Sequence, residues 1–153
     1  MGSLEIPMHP ERAIADETIP WVPLAEGVAF KPFRFDFSTG SWVNALKVEP
    51  GAGLGRHRHN GGPVLAYCLQ GSWWYIERDW KAVPGTFVYE PPGDVHTLVS
   101  GPDGMTTLFV TDGVLQFFDN AGAVDHEDTV FTRYEMYVRH CNERGIEVEN
   151  LLY

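Results

Sequence analysis

The chain has 153 residues, a mass of 17.2 kDa and 44% hydrophobic residues, the size of one domain that buries a core of its own. A net charge of −10 and a pI of about 4.9 disfavour nucleic acid or an anionic membrane as a partner. No apolar run approaches the roughly 18 residues of a membrane span, and the first residues lack the apolar stretch of a secretory signal. Met1-Gly2-Ser3 opens like an acylation site, but Ile6 stands where such a site has Ser or Thr. Two distant cysteines, Cys68 and Cys141, read as reduced thiols, so the expectation is a cytoplasmic protein.

Residues 1–20 read as a polar arm in which Pro7, Pro10 and Pro20 discourage regular structure. Residues 21–125 read as all-β. Val28–Phe37 alternates, which predicts Phe33, Phe35 and Phe37 on one face and Arg34 and Asp36 on the other. Ser41–Val48 is the next strand, ended by Pro50-Gly51-Ala52-Gly53. Further strands are predicted at Leu54–His59, Val64–Gln70, Ser72–Arg78, Thr86–Glu90, His96–Ser100, Met105–Thr111 and Leu115–Asp119. Short aromatic and β-branched runs separated by turn residues predict an antiparallel barrel or sandwich. Residues 126–153 change period. Asp128 or Thr129 can cap a helix, and Val130, Tyr134, Tyr137, Val138 and Cys141 form one apolar stripe up to a stop at Gly145. That helix is expected to lie across the outside of the barrel and to serve packing.

Of six histidines, three form a pattern with chemical meaning. His57 and His59 flank Arg58, and residues two apart on a strand point to the same face. His96 enters a strand through Pro91-Pro92-Gly93-Asp94; if the two hairpins are neighbours, it reaches the same point. Three neutral imidazoles suit Zn, Fe, Ni or Cu and leave positions open. The His-x-His pair alone is better explained by two hydrogen-bonded or surface histidines. His9, His126 and His140 read as solvated. Glu90, at the strand end before the Pro-Pro-Gly corner, could be a fourth ligand, a base beside the metal, or a solvated rim carboxylate. An inward subset of Trp42, Tyr67, Trp73, Tyr75 and Phe87 would line an apolar pocket. Cys68 and Cys141 read as buried thiols.

Residues 51–71, GAGLGRHRHNGGPVLAYCLQG, and 85–100, GTFVYEPPGDVHTLVS, resemble the two sequence motifs of the cupins, in order and at the right separation. The resemblance implies a single-domain all-β cupin barrel with a C-terminal helix, and a metal held by His57, His59 and His96. Two departures stand out. Ser100 replaces the usual Asn of the second motif. Val64 occupies the place where the first motif usually has a Glu ligand, and no carboxylate lies between His59 and Gly71. A site of three neutral ligands leaves a divalent ion its full charge and favours an anionic, chelating substrate such as an enolate.

With this departure the chain resembles the 2,4'-dihydroxyacetophenone dioxygenase family and, more distantly, the acetylacetone-cleaving β-diketone dioxygenases. The resemblance rests on the two motifs, the Gly71-Ser72-Trp73-Trp74-Tyr75 strand, the Val88–Gly93 approach to His96, and the tail helix. It implies an enzyme that uses Fe(II) and O2 to cleave a carbon–carbon bond next to a carbonyl in an aryl hydroxyketone or β-diketone. It also implies that purified protein can carry Zn, Ni or Mn, and that the chain forms a homodimer or homotetramer. The alternatives are a non-catalytic Zn-binding cupin, such as a sensor, and a metal-free small-molecule binder.

Overall fold

The computed structural model describes residues 9–153; the Met1-Gly2-Ser3 reading and the first part of the predicted arm lie outside them. Nine strands follow in chain order: β1 Val22–Ala25, β2 Val28–Asp36, β3 Ser41–Val48, β4 Gly53–Asn60, β5 Val64–Tyr75, β6 Phe87–Glu90, β7 Val95–Asp112, β8 Val114–Phe118 and β9 Val124–Asp128. One helix, α1 Val130–Arg144, ends the regular structure. All neighbouring strands pair antiparallel in one curled sheet, in the order β1-β2-β3-β7-β4-β8-β9, with β5 on β7 and β6 on β5. The predicted all-β cupin architecture with a C-terminal helix is the observed one.

Strand β7 organises the curl. It is 18 residues long, where the pattern of Gly101-Pro102-Asp103-Gly104 predicts two separate strands. Its first part pairs with β4 and the end of β5; its second part pairs with β3 and the start of β5. The Gly-Pro-Asp-Gly stretch bends the strand instead of ending it. Gly104 adopts φ 71°, which L side chains rarely enter. The two strands predicted over Val64–Arg78 are likewise one, β5, with register shifts at Cys68/Gln70 and Gly71/Trp73. Gly71, expected at a hairpin turn, sits at the second of these bulges.

A third register shift corrects the reading of β2. Pro32 pairs with Asn44 and Arg34 with Val43, so Phe33 is the extra residue of a bulge. The bulge resets the alternation: Phe30 and Phe35 are fully buried, Phe33 is half-buried and Phe37 is exposed. Burial of each such Phe contributes about 1.5–3 kcal/mol. Strands β1 and β9 have no counterpart among the predicted strands; both are short, and His126 lies on β9. A short 3-10 turn at Asp16–Thr18 interrupts the predicted arm, and Ile19 beside it is buried in the core.

The helix begins and stops as its sequence predicts. Thr129 caps α1, its hydroxyl accepting from the Thr132 amide while Thr132 Oγ1 accepts from the Thr129 amide. Gly145 ends it at φ 65°. Val130, Tyr137 and Cys141 are buried, and Tyr134 packs edge-on against Phe35 and Phe37. The stripe also contains a residue that its apolar reading omits: Arg133, 3% exposed. Both cysteines are buried free thiols. No helix among the described residues is long and apolar enough to cross a membrane.

Candidate metal centre

The sheet register assembles the site. On β4, His57 and His59 point inward and Arg58 outward, where its Nε donates to Gln116. His57 pairs directly with His96 of β7, so two imidazoles from different hairpins meet across one ladder. The rings of His57 and His96 lie 4.7 Å apart, those of His57 and His59 5.3 Å, and those of His59 and His96 5.5 Å. One nitrogen from each comes within 4.8 Å of the others, and all three residues are buried. The structure thus brings together the three histidines that the sequence singles out. His9 and His126 are exposed, His140 is half-buried on α1, and none of them joins the cluster.

Glu90 reaches the same point from β6. It is 2% exposed, which rules out the rim reading. Its Oε2 lies 3.1 Å from His59 Nε2 and 3.5 Å from His96 Nε2. Two ligands about 2.1 Å from one metal ion are about 3.0–3.4 Å apart for right-angled to tetrahedral geometry. Its other oxygen, Oε1, accepts from the Tyr75 hydroxyl. Glu90 pairs directly with Val64 across β5 and β6. The carboxylate missing from Val64 is therefore offered from the facing position of the next strand.

The buried polar atoms fit a metal. Among the described residues, six buried side-chain polar atoms lack a hydrogen-bond partner; four of them are His59 Nδ1, Glu90 Oε2, and Nδ1 and Nε2 of His96. Orphaned buried groups are costly and rare, and two of these, Glu90 Oε2 and His96 Nε2, lie where an ion held by the three histidines would satisfy them. His57 Nδ1 donates to the Gly55 carbonyl at 2.7 Å, which turns its Nε2 lone pair inward. Burial, with His96 and His59 nearby, pushes the His57 pKa down to about 3. Burial also lowers His96, against the opposing pull of Glu90. Both imidazoles are thus kept neutral, the form that binds metal. Burial and the Glu90 carboxylate push the Tyr75 hydroxyl well above its ordinary pKa, so it stays a donor. The Tyr75 ring also stacks on His96, with centroids 3.8 Å apart and planes 7° from parallel.

Beside the histidines lies an interior cavity of about 30 Å³, walled by Trp42, Leu46, Leu98, Phe109 and Leu115 together with His57, His59, Tyr75 and Arg133. Of the candidate pocket aromatics, Trp42, Trp73 and Tyr75 are buried, whereas Tyr67 and Phe87 are 46% and 62% exposed on the outer face. Two participants were not assigned from sequence. Tyr75 was a pocket candidate without a role; its signal is its place at the end of β5, opposite Leu98. Arg133 carried a signal in its spacing, three residues after Val130 on the apolar stripe.

Known proteins corroborate this architecture. The model of the ChrR cupin-like domain family matches residues 9–116. A cupin of known structure from Ralstonia eutropha JMP134 is 29% identical, with a TM-score of 0.89 over 94% of this chain and 95% of that one. An acetylacetone dioxygenase from Acinetobacter johnsonii is 17% identical, with a TM-score of 0.77 over 91% and 97%. The Rhodobacter sphaeroides complex of SigE with the anti-sigma ChrR matches at 22% identity and a TM-score of 0.54, over 63% of this chain and 51% of the matching one. Comparison with curated protein sequences finds no match.

Proposed function

We propose that this chain, which belongs to the family of ChrR cupin-like domains, is a non-haem Fe(II) dioxygenase that cleaves a carbon–carbon bond next to a carbonyl. The observation that carries this reading is the position of the histidines. His57 and His59 line a small, half-open, mostly apolar cavity, so an ion held by the three histidines would keep open positions toward it. Catalytic sites have that arrangement and structural zinc sites lack it. The likeness to the Acinetobacter acetylacetone dioxygenase supports the fold of this reading; the aryl hydroxyketone or β-diketone substrate class rests on the sequence resemblance.

His57, His59 and His96 would hold the metal, with Glu90 Oε2 as fourth ligand. They would hold ferrous iron, to which the ketone would chelate as its enolate and which would supply the redox chemistry for O2 activation. With Glu90 ionised, the charge left on a divalent centre is +1, which one enolate balances. This replaces the expectation of a wholly neutral ligand set. The chain's own residues orient and exclude. Gly55 fixes the direction of His57, Tyr75 holds Glu90 through Oε1 and steadies His96 by stacking, and Trp42, Leu98 and Phe109 keep water out.

A second reading is a non-catalytic zinc-binding cupin. It is favoured by the size of the interior cavity, about 30 Å³, which holds only a couple of water molecules at about 10–15 Å³ each. The test is oxygen uptake by anaerobically Fe(II)-loaded protein, with 2,4'-dihydroxyacetophenone and acetylacetone offered separately. Iron-dependent uptake with one of them is expected. Stoichiometric metal with no uptake on either would favour the second reading, and no bound metal would overturn both.

A further inference from the structure

The C-terminal helix places a cation inside the barrel. Arg133 is 3% exposed, and arginines are almost never so buried unless paired. It lines the interior cavity together with His57, His59, Trp42, Asn44 and Thr111. Its pairing is partial. Nε and Nη2 both donate to a single oxygen, Asp128 Oδ2, at 3.1 and 2.8 Å. Nη1 makes no hydrogen bond among the described residues. The Phe30 ring covers the guanidinium, with its carbon 5.0 Å from the centroid. A guanidinium presents five donors in a rigid fork suited to a carboxylate, and here the fork is half used.

Asp128 faces a second space. With Leu54, Arg56, Phe117, His126 and Met136 it lines an outer cavity of about 400 Å³. Leu54 belongs to both walls. The Asp128–Arg133 pair and Leu54 therefore form the partition between a metal chamber too small for a ketone and an outer chamber large enough for one.

Resting on the dioxygenase reading above, we propose that Arg133 is the specificity residue of the site. It takes the carboxylate of an acidic ketone arriving from the outer chamber; the carboxylate displaces Asp128 from the guanidinium, which opens the partition, and the two ketone oxygens then reach through it toward the histidines. The substrate class is thus a dioxo acid rather than a neutral diketone. A neutral diketone has no group to exchange for Asp128 and would leave Arg133 and Asp128 paired across its path. Asp128, once released, stays on the wall of the outer cavity, which also carries Arg56 and His126.

Zinc-loaded protein allows binding to be read without turnover. The probes are 4,6-dioxoheptanoate and heptane-2,4-dione, which share the diketone and differ in the carboxylate; calorimetry gives both affinities. Wild type is expected to bind the acid about tenfold to hundredfold more tightly, the range of a charge-assisted hydrogen-bond pair. Arg133→Met should erase that preference, read as the ratio of the two affinities, and Arg133→Lys should restore part of it. Equal binding of both probes by wild type, or an equal loss of both in Arg133→Met, would overturn the proposal and leave Arg133 as a structural clamp. If Arg133→Met fails to fold, Asp128→Asn decides: removal of the competing carboxylate should tighten the acid alone, and no selective gain overturns the assignment. Acid preference without oxygen uptake in the iron form refutes the dioxygenase reading and keeps the role of Arg133. Uptake with a neutral diketone and no acid preference does the reverse.

Discussion

Exchanging the two side chains that face each other across β5 and β6 tests where the carboxylate corner of the site comes from. Val64 and Glu90 are direct partners in the ladder and both are buried; Cβ atoms so opposed lie about 4.5–5.5 Å apart. Glu90 Oε2 stands 3.1 and 3.5 Å from two histidine nitrogens, so on the proposed reading Glu90→Val removes a ligand. Loss of a mere supporting partner costs about 10–100-fold in metal affinity, or about 1.4–2.8 kcal/mol, and loss of a ligand should cost at least that. The substitution also strands the buried Tyr75 hydroxyl, at about 1–3 kcal/mol of stability, so a Tyr75→Phe background separates the two effects. In the swap Val64→Glu with Glu90→Val, the carboxylate returns within about 5 Å of the same point and most of the affinity should return with it. Anaerobic calorimetry with Fe(II), and with Zn(II) as a redox-silent control, measures each of these proteins. An unchanged affinity in Glu90→Val would refute the reasoning and return the site to three neutral ligands.

Three further outcomes can be checked directly. His96→Ala should abolish metal binding, since His96 faces His57 across the ladder; equimolar metal retained by the purified variant, measured by elemental analysis, would remove it from the ligand set. In metal-free protein, the unfolded chain protonates His57 below about pH 6.5, whereas the folded chain resists until about 3. Stability from this group is therefore full above pH 6.5 and falls as pH drops through that window, by at most about 5 kcal/mol; urea midpoints in wild type and His57→Gln should differ in slope there, and parallel profiles would count against it. Gly71→Ala should destabilise by about 2 kcal/mol or more, because φ is 69° and a Cβ would overlap the Gly104 carbonyl oxygen; a thermal midpoint equal to wild type would contradict that packing.

Much of the site was legible because its signals are local. The two-residue period of a strand puts His57 and His59 on one face, and the Pro-Pro-Gly corner puts His96 on the next hairpin. Motif spacing carried the rest of the fold, together with the capping and stop residues of α1. What stayed illegible depends on contacts between strands. Phe33 carries no mark of its bulge, which only the pairing of Pro32 with Asn44 and Arg34 with Val43 defines. Gly-Pro-Asp-Gly is turn chemistry, yet β7 stays extended through it, its pairing ending at Ser100 and resuming at Met105. Glu90 was visible as a candidate, but its role follows from a register that places it opposite Val64. Arg133 lay in plain view on a helix read only for its apolar residues.

The corner between β6 and β7 has a mechanical meaning. Glu90 and His96 bound the segment Pro91–Val95, and the Gly93 amide donates to the His59 carbonyl at 2.6 Å. If one ion takes both ends as proposed, this short loop becomes a closed ring, clasped at its middle to the backbone of His59. The β4–β5 turn, Gly61-Gly62-Pro63, offers no ligand, and neither does Val64 after it. Metal arrival should then stiffen one rim of the barrel and leave the other as supple as before. Amide exchange would record this as slowed protons around Asp94 and unchanged ones around Gly62.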